Sequence, residues 1–409
     1  MTASVGTAEQ LLELAADGIR RIDDCLITLD DYLDLASVAP LRRTLGHLLC
    51  NFYRYRQPIS VQLAKLYRFR PAPEVEALLL AAAGEVALQD RLAPPLVVNA
   101  AVALAKRRHL PSSLVNAVLR RFVALWAEKC PKSKTWRAEE LFPAAVFQRW
   151  QARFDADQLS ELASAWRTEP EFSFRIEAGC PELDFPWQPG PEVSRHYHFA
   201  VAAPEVVLNS TAFHSGCLYI QDPAAATAPE LADWSSTPKR VLDLCAAPGG
   251  KSLMLSERLP AGAELVAFDR SAARQKLTLR NFALRHRQAV ILSDPGQLAG
   301  PFDLILVDAP CSNTGVFRRR PDALWRFSAA TLRDICQTQG ELLERAWGLL
   351  AVGGQLIYST CSIEVEEDQQ QVAAMLERHP GKIALETEKL LLPTWRHDGA
   401  YAARLRRMN

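Results

Sequence analysis

Val241-Leu242-Asp243-Leu244-Cys245-Ala246-Ala247-Pro248-Gly249-Gly250-Lys251-Ser252 begins as a short apolar strand, passes through small residues and enters a helical stretch. That order is the first crossover of a doubly wound sheet. Small side chains let a ligand lie against the backbone there, and the start of the following helix favours polar groups. The alternative is a tight turn that simply needs glycine at Gly249 and Gly250.

Working outward, Val241–Leu244, Leu265–Phe268, Val290–Leu292, Leu304–Val307 and Gln355–Tyr358 are short apolar runs. They alternate with helical stretches at Lys251–Leu259, Ala272–Leu284 and Ala329–Leu350. Such alternation predicts βαβ units and a parallel sheet covered on both faces. Asp269 closes the second strand, 26 residues after Asp243, where a carboxylate accepts hydrogen bonds from two ribose hydroxyls. Asp294 follows the third strand and is placed to reach an adenine, or is a turn residue. Neither GxGxxG nor a P-loop is present, which argues against dinucleotide and nucleoside triphosphate sites.

The style changes at Ser235-Ser236-Thr237-Pro238 and again at Pro131-Lys132-Ser133-Lys134, a predicted linker. The first ~130 residues read as helices; Pro111-Ser112-Ser113 starts one whose apolar face is Leu114, Val115, Val118, Leu119, Phe122 and Trp126. Residues 135–235 are mixed and Pro-rich, with a strand expected at Phe172–Ile176. Length (409 residues) and composition (49% hydrophobic, 23% charged) fit two or three soluble globular domains. Net charge is zero, but Arg42 to Arg121 holds thirteen Lys/Arg against Glu74, Glu76, Glu85 and Asp90. That excess is the footprint of a phosphate-binding face, or of a solvated helical surface. Nine cysteines include no CxxC pair, so neither zinc nor disulfides are expected, and the thiols should be reduced in a cytoplasm. Glu9 and Glu13 precede the first basic residue, Arg20, with no signal-like apolar core. The longest apolar run, Ala77 to Ala83, is far below the roughly 18 residues a membrane helix needs.

Two later stretches each place a cysteine just past a predicted strand: Leu304-Ile305-Leu306-Val307-Asp308-Ala309-Pro310-Cys311-Ser312-Asn313-Thr314-Gly315 and Tyr358-Ser359-Thr360-Cys361-Ser362. A lone cysteine is more often a small buried apolar residue. Two at equivalent strand ends, one beside Asp308, point to chemistry at the sheet edge where ligands bind. Carbon 5 of cytosine is a poor nucleophile towards a methyl sulfonium; a thiolate adding at carbon 6 makes it electron-rich. An acid such as Asp308 near ring nitrogen 3 aids the addition. A base must then remove the carbon-5 proton, and water, Cys311 and a carboxylate are all open. Position alone does not say which thiol attacks.

DLCAAPGGKS at 243–252, DAPCSNTGVFRRRPDALW at 308–325 and YSTCSIEVEED at 358–368 resemble the NOL1/NOP2/Sun family of RNA cytosine-5 methyltransferases. Phe213, Gly216 and Ile220-Gln221-Asp222 resemble the segment preceding its catalytic core, and Asp398–Leu405 its last strand. The resemblance covers roughly 135 to 409. It implies Cys361 as nucleophile, Cys311 as the thiol that assists release, and S-adenosylmethionine as cofactor, held by Cys245, Ala246, Ala247, Pro248, Gly249, Gly250, Lys251, Asp269, Asp294 and Asp308. Arg318, Arg319 and Arg320 follow the Cys311 loop and are expected to hold RNA phosphate, or form a solvated basic turn. Upstream, Pro95–Lys106 and Leu114–Arg121 resemble the NusB-like helical RNA-binding domain. The expected organisation is therefore an all-α NusB-like domain (1–130), a small α+β connecting subdomain (135–235) and an α/β Rossmann-like class I methyltransferase domain (236–409). Small-subunit ribosomal RNA is the implied partner of a cytoplasmic monomer, without metal or membrane. Transfer RNA as substrate, and a non-catalytic RNA-binding assembly factor, are the alternatives. One departure stands out: the family's Arg-x-Asn is Arg175-Ile176-Glu177 here.

Overall fold

The computed structural model describes residues 5–89, 91–130, 136–177, 180, 182–190 and 197–408. The expected linker at Pro131-Lys132-Ser133-Lys134 lies outside the described residues, as does Asp90. Two compact units form, one from Met1–Thr168 with Phe317–Phe327 and the other from Glu169–Val316 with Ser328–Asn409. Among the described residues no helix is long and apolar enough to cross a membrane.

The first unit is helical: α1 (Val5–Asp23), α2 (Leu29–Leu33), α3 (Arg42–Ala64), α4 (Pro73–Leu88), α5 (Pro94–Arg107), α6 (Ser112–Lys129), α7 (Ala138–Leu141), α8 (Ala144–Gln151) and α9 (Ala156–Arg167), with α15 (Asp322–Arg326) contributed by the inserted segment. Every residue from Ala77 to Gly84 is buried, so α4 is apolar all round and central, packed by α1, α3, α5 and α6. Helix α3 bends because Pro58 lacks the N–H that would bond the Arg54 carbonyl. Two indoles take over the carbonyls at the bend: Trp166 Nε1 donates to Arg54 O (2.5 Å) and Trp325 Nε1 to Tyr53 O (2.8 Å). Arg54 itself donates to the Arg318 carbonyl (2.8 Å), and Phe317 joins a cluster of Phe142, Trp150 and Trp166. The segment 317–327 thus follows the Cys311 loop in sequence yet packs in the helical unit, and 138–167 lies there too. The boundary read near 130–135 falls inside this unit.

Among its described residues the second unit holds two sheets. The smaller is antiparallel, in the order β2 (Trp187–Pro189), β3 (Tyr197–Ala200), β1 (Ser173–Ile176), β4 (Leu218–Ile220). The larger has seven strands: β5 (Arg240–Asp243), β6 (Glu264–Phe268), β7 (Val290–Leu292), β8 (Phe302–Asp308), β9 (Leu350–Thr360), β10 (Ile383–Leu391) and β11 (Ala400–Arg407), ordered β10-β11-β9-β8-β5-β6-β7. β5 to β9 are mutually parallel and β11 and β10 close the edge antiparallel. The linking helices are α10 (Pro204–Leu208), α11 (Thr211–His214), α12 (Thr227–Glu230), α13 (Gly250–Ser256), α14 (Ala272–Leu284), α16 (Ala329–Leu349) and α17 (Gln369–Arg378). All five expected parallel strands are present, and the strand expected at Phe172–Ile176 is β1. Because the strands run parallel, their carboxyl ends line one edge, and the register sets Asp308 opposite Ser359.

Candidate catalytic site

Four aspartates stand at the carboxyl ends of four adjacent parallel strands: Asp308 on β8, Asp243 on β5, Asp269 after β6 and Asp294 after β7. Asp243 organises the first loop, accepting from Ser252 Oγ (2.6 Å) and Cys245 N (3.3 Å). Burial pushes its carboxyl up to about 7, against the pull of those donors. Burial also lifts the Cys245 thiol, assisted by the charges of Asp243, Asp308 and Asp269, so this third cysteine stays protonated. Asp269 takes Ala247 N at 3.3 Å, Ser271 N at 2.8 Å and Arg274 at 2.9 Å. Asp294 is exposed and accepts from Gly296 N (2.9 Å), the turn bond that its loop position allowed.

The glycines of the loop have distinct reasons. Gly249 has φ +102°, a left-handed conformation, and a Cβ there would lie 3.0 Å from Thr278. A Cβ on Gly250 would come within 2.7 Å of Gln221 Nε2 and 2.9 Å of Tyr219. Its missing side chain therefore makes room for protein groups.

Cys311 and Cys361 meet. Their sulfurs are 2.9 Å apart, each carried just beyond the end of one of two neighbouring parallel strands, β8 and β9. The Cys361 thiol also reaches Asn313 Oδ1 (3.2 Å), while Asn313 Nδ2 donates to Cys311 O (3.2 Å). Gly315 N bonds Cys361 O (2.9 Å), and a Cβ on Gly315 would sit 2.7 Å from that carbonyl. The hydrogen bond to Cys361, burial, and the charges of Cys361 and Glu367 hold the Cys311 thiol well above its ordinary range. Beside the pair, Lys251 Nζ donates to Asp308 Oδ2 (2.6 Å), and Ser359 Oγ donates to Asp308 Oδ1 (2.9 Å). Burial opposes the Lys251 charge, but Asp308 outweighs it and keeps the ammonium above its usual value. Asp308, expected to act as an acid, accepts from both of these donors, so Lys251 is the donor of the pair. A cleft opens here, lined by Asp222, Lys251, Ser359, Cys361, Asp398 and Tyr401 among others.

The arginines after Cys311 differ from expectation. Arg318 is 1% exposed in the helical unit, where no phosphate reaches its guanidinium. Arg319 is half-buried and the exposed Arg320 pairs with Asp30 at 3.0 Å. Glu367, Asn313 and the donor role of Lys251 were not assigned from sequence, although all three lie inside the quoted motifs.

Residues 234–400 match the family described as 16S rRNA methyltransferase RsmB/F, and residues 13–124 match the NusB family. The ribosomal RNA small subunit methyltransferase B of Yersinia pseudotuberculosis is 33% identical over 294 residues, 68% of this chain and 68% of that protein; the Yersinia pestis protein of that name gives the same figures. The chain belongs to the RsmB/F family. It is an RNA methyltransferase with a NusB domain, and S-adenosylmethionine is its cofactor. The crystal structure of PH0851 shares the fold, with a TM-score of 0.74 over 98% of this chain and 99% of that one at 22% identity. A methyltransferase homologue from Pyrococcus horikoshii gives 0.53 over 65% of this chain and 96% of that one, at 21% identity. The RsmB/F cofactor presents hydrogen-bond donors, namely ribose hydroxyls, an adenine amine and an ammonium. The row of carboxylates at this sheet edge is the acceptor set such donors require.

Proposed function

We propose that this RsmB/F chain methylates carbon 5 of a cytosine in small-subunit (16S) ribosomal RNA through a covalent bond to Cys361. The observation that carries the reading is the 2.9 Å thiol pair beside the Lys251–Asp308 ion pair, at a cleft reached by Cys361. The Cys361 thiolate adds to carbon 6 while Lys251, steadied by Asp308, donates a hydrogen bond towards ring nitrogen 3. S-adenosylmethionine supplies the electrophilic methyl group that carbon 5 attacks. Loss of the carbon-5 proton then returns the electron pair of the S–C6 bond to Cys361, with Cys311 adjacent to stabilise the departing thiolate. Asp269 and the loop 245–251 hold the cofactor.

Cys361→Ser should reduce methyl transfer by roughly 10³-fold or more while S-adenosylmethionine still binds by calorimetry. Cys311→Ala should accumulate a protein–RNA adduct, seen as a slow band on a denaturing gel. An adduct in a Cys361 variant and none in Cys311→Ala would reverse the two roles. Bisulfite sequencing of total RNA from a deletion strain tests the target: one unprotected 16S cytosine is expected, and a lost mark confined to transfer RNA rejects it.

A further inference from the structure

Glu367 touches both thiol-bearing loops. It sits between β9 and α17 and is fully buried. Oε1 accepts from Ser312 N (2.8 Å) and Gln339 Nε2 (3.1 Å); Oε2 accepts from Ser312 Oγ and from Ser362 Oγ (2.5 Å). Ser312 follows Cys311 and Ser362 follows Cys361, so one carboxylate binds the residue after each thiol. The same hydroxyls extend the tie: Thr314 Oγ1 and Ser362 Oγ are 3.0 Å apart, and Thr314 Oγ1 accepts from Ile363 N at 3.2 Å. Gln339 also donates to Pro310 O at 3.0 Å.

Ser312 N and Gln339 Nε2, donors that cannot accept, fix Oε1 as an acceptor, and these bonds favour the anion against the burial that raises its pKa. The thiol pair therefore has an anion on one flank and a cation on the other. Glu367 takes two bonds from Ser312 against one from Ser362, so its contacts lean to the Cys311 loop, while Lys251 shares the cleft with Cys361. The remaining charged or titratable neighbours are Asp308, held by Lys251; Asp368, which accepts from Thr360 Oγ1 at 2.6 Å; the buried Glu364; and Tyr358, whose phenol is pushed well above its ordinary range and donates to Glu367 O. When the pair loses one proton to solvent, the field across it decides which sulfur keeps the other.

We propose that Glu367 is a positioning residue: it locks the two loops together and keeps the remaining proton on Cys311, so that the thiolate resides on Cys361 once the S–H that donates to Asn313 Oδ1 (3.2 Å) is given up. Cys311 S–H then donates to Cys361 Sγ before the S–C6 bond forms and again when it breaks. This inference rests on Cys361 being the nucleophile.

The test is Glu367→Gln in the full chain, read by iodoacetamide labelling of both thiols and mass spectrometry as a function of pH. Cys361 should label first in the wild type. In E367Q the Cys361:Cys311 labelling ratio should fall by about tenfold, the change in thiolate partition for one pKa unit. In single-turnover methylation its rate should fall by roughly the same factor, with RNA KM and cofactor affinity unchanged. Ser362→Ala removes a donor but keeps the charge, so it should retain Cys361-first labelling. It also keeps the proposal testable should E367Q fail to fold. An unchanged ratio in a folded E367Q overturns the proposal, as does loss of preference in Ser362→Ala. Labelling needs no methyl transfer, so a wild type that labels Cys361 first yet leaves cytosine unmethylated sinks the carbon-5 reading alone.

Discussion

At the edge of the seven-stranded sheet, ionisable groups beside the thiols are held by neighbours of their own: Lys251 and Ser359 hold Asp308, Ser252 holds Asp243, and four donors hold Glu367. The helical unit uses charge differently. Its arginines are tied down at the surface, Arg56 to Asp23, Arg70 to Glu76, Arg42 to Asp34 and Arg107 to Glu9 and Glu13. Glu85, by contrast, is buried in α4 with no ion-pair partner among the described residues. Parallel strands deliver the residues at their ends to one line, so groups far apart in sequence converge. Helices send theirs around a cylinder, where opposite charges from α1, α4 and the residue after α2 pair with them. A count of basic residues along helices therefore overstates the charge that any one face leaves unpaired, whereas two cysteines distant in sequence meet at neighbouring strand ends.

The largest effect is expected at Lys251. Lys251→Met removes the donor from a half-buried carboxylate and from the reacting ring. Methyl transfer should fall by roughly 10²–10⁴-fold with RNA affinity little changed. A variant within twofold of wild type in single-turnover assays would mean the ion pair is structural.

The next largest effect lies in the other unit. Desolvation outweighs the attraction of Arg91 and raises the Glu85 carboxyl to about 7, from near 4.5. The folded state then binds more protons than the unfolded state between those values. Stability conferred by the protonated form is complete below pH 4.5 and is lost as pH rises through 7. Glu85→Gln should add about 3 kcal/mol to the helical unit at pH 8 and little at pH 4, two and a half pKa units of penalty being removed. Thermal unfolding across that range checks it, and wild-type stability that climbs from pH 5 to pH 8 in that unit would contradict the assignment.

Most of the site's line-up was legible because it is periodic. The five parallel strands and three covering helices announced themselves by alternation, and once the strands are parallel Asp243, Asp269, Asp308 and both thiols must share an edge. What stayed hidden depends on tertiary return of the chain. Glu367 matters because the turn before α17 folds back over two loops, a placement that no spacing encodes. β10, Ile383–Leu391, carries four charged or hydroxyl residues in a row (Glu386 to Lys389) and escaped notice, yet pairs with β11 as an edge strand, where such residues are tolerated. The Arg318 to Arg320 run read as a surface clamp, but its neighbours Phe317 and Trp325 are drawn into the aromatic core around the α3 bend, and Arg318 is buried with them.

A smaller effect probes how closely the two thiol loops are fitted. Gly315→Ala places a methyl 2.7 Å from the Cys361 carbonyl and 2.9 Å from that of Gly399. Relief requires one loop to move, at about 1–3 kcal/mol. Activity should drop more than cofactor affinity, because the displacement falls on Cys361 and not on the loop 245–251. Equal losses in both would show that the strain spreads through the whole sheet edge.

The smallest effect tests whether the helical unit's arginines are truly occupied. Arg107 is bonded to Glu9 at 3.2 Å and Glu13 at 2.7 Å, and Arg108 pairs with Glu13 as well. These pairs are partly exposed, so each contributes less than about 1 kcal/mol to stability and is weakened by salt. Glu9→Gln with Glu13→Gln should barely shift the melting temperature. It frees two guanidiniums, however, and adds two units of positive charge to that face. Non-specific RNA affinity should rise a few-fold at low salt, with a steeper dependence of log Kd on log salt. An unchanged salt slope would mean that those arginines face away from RNA whether paired or not, and that this end of α5 takes no part in binding.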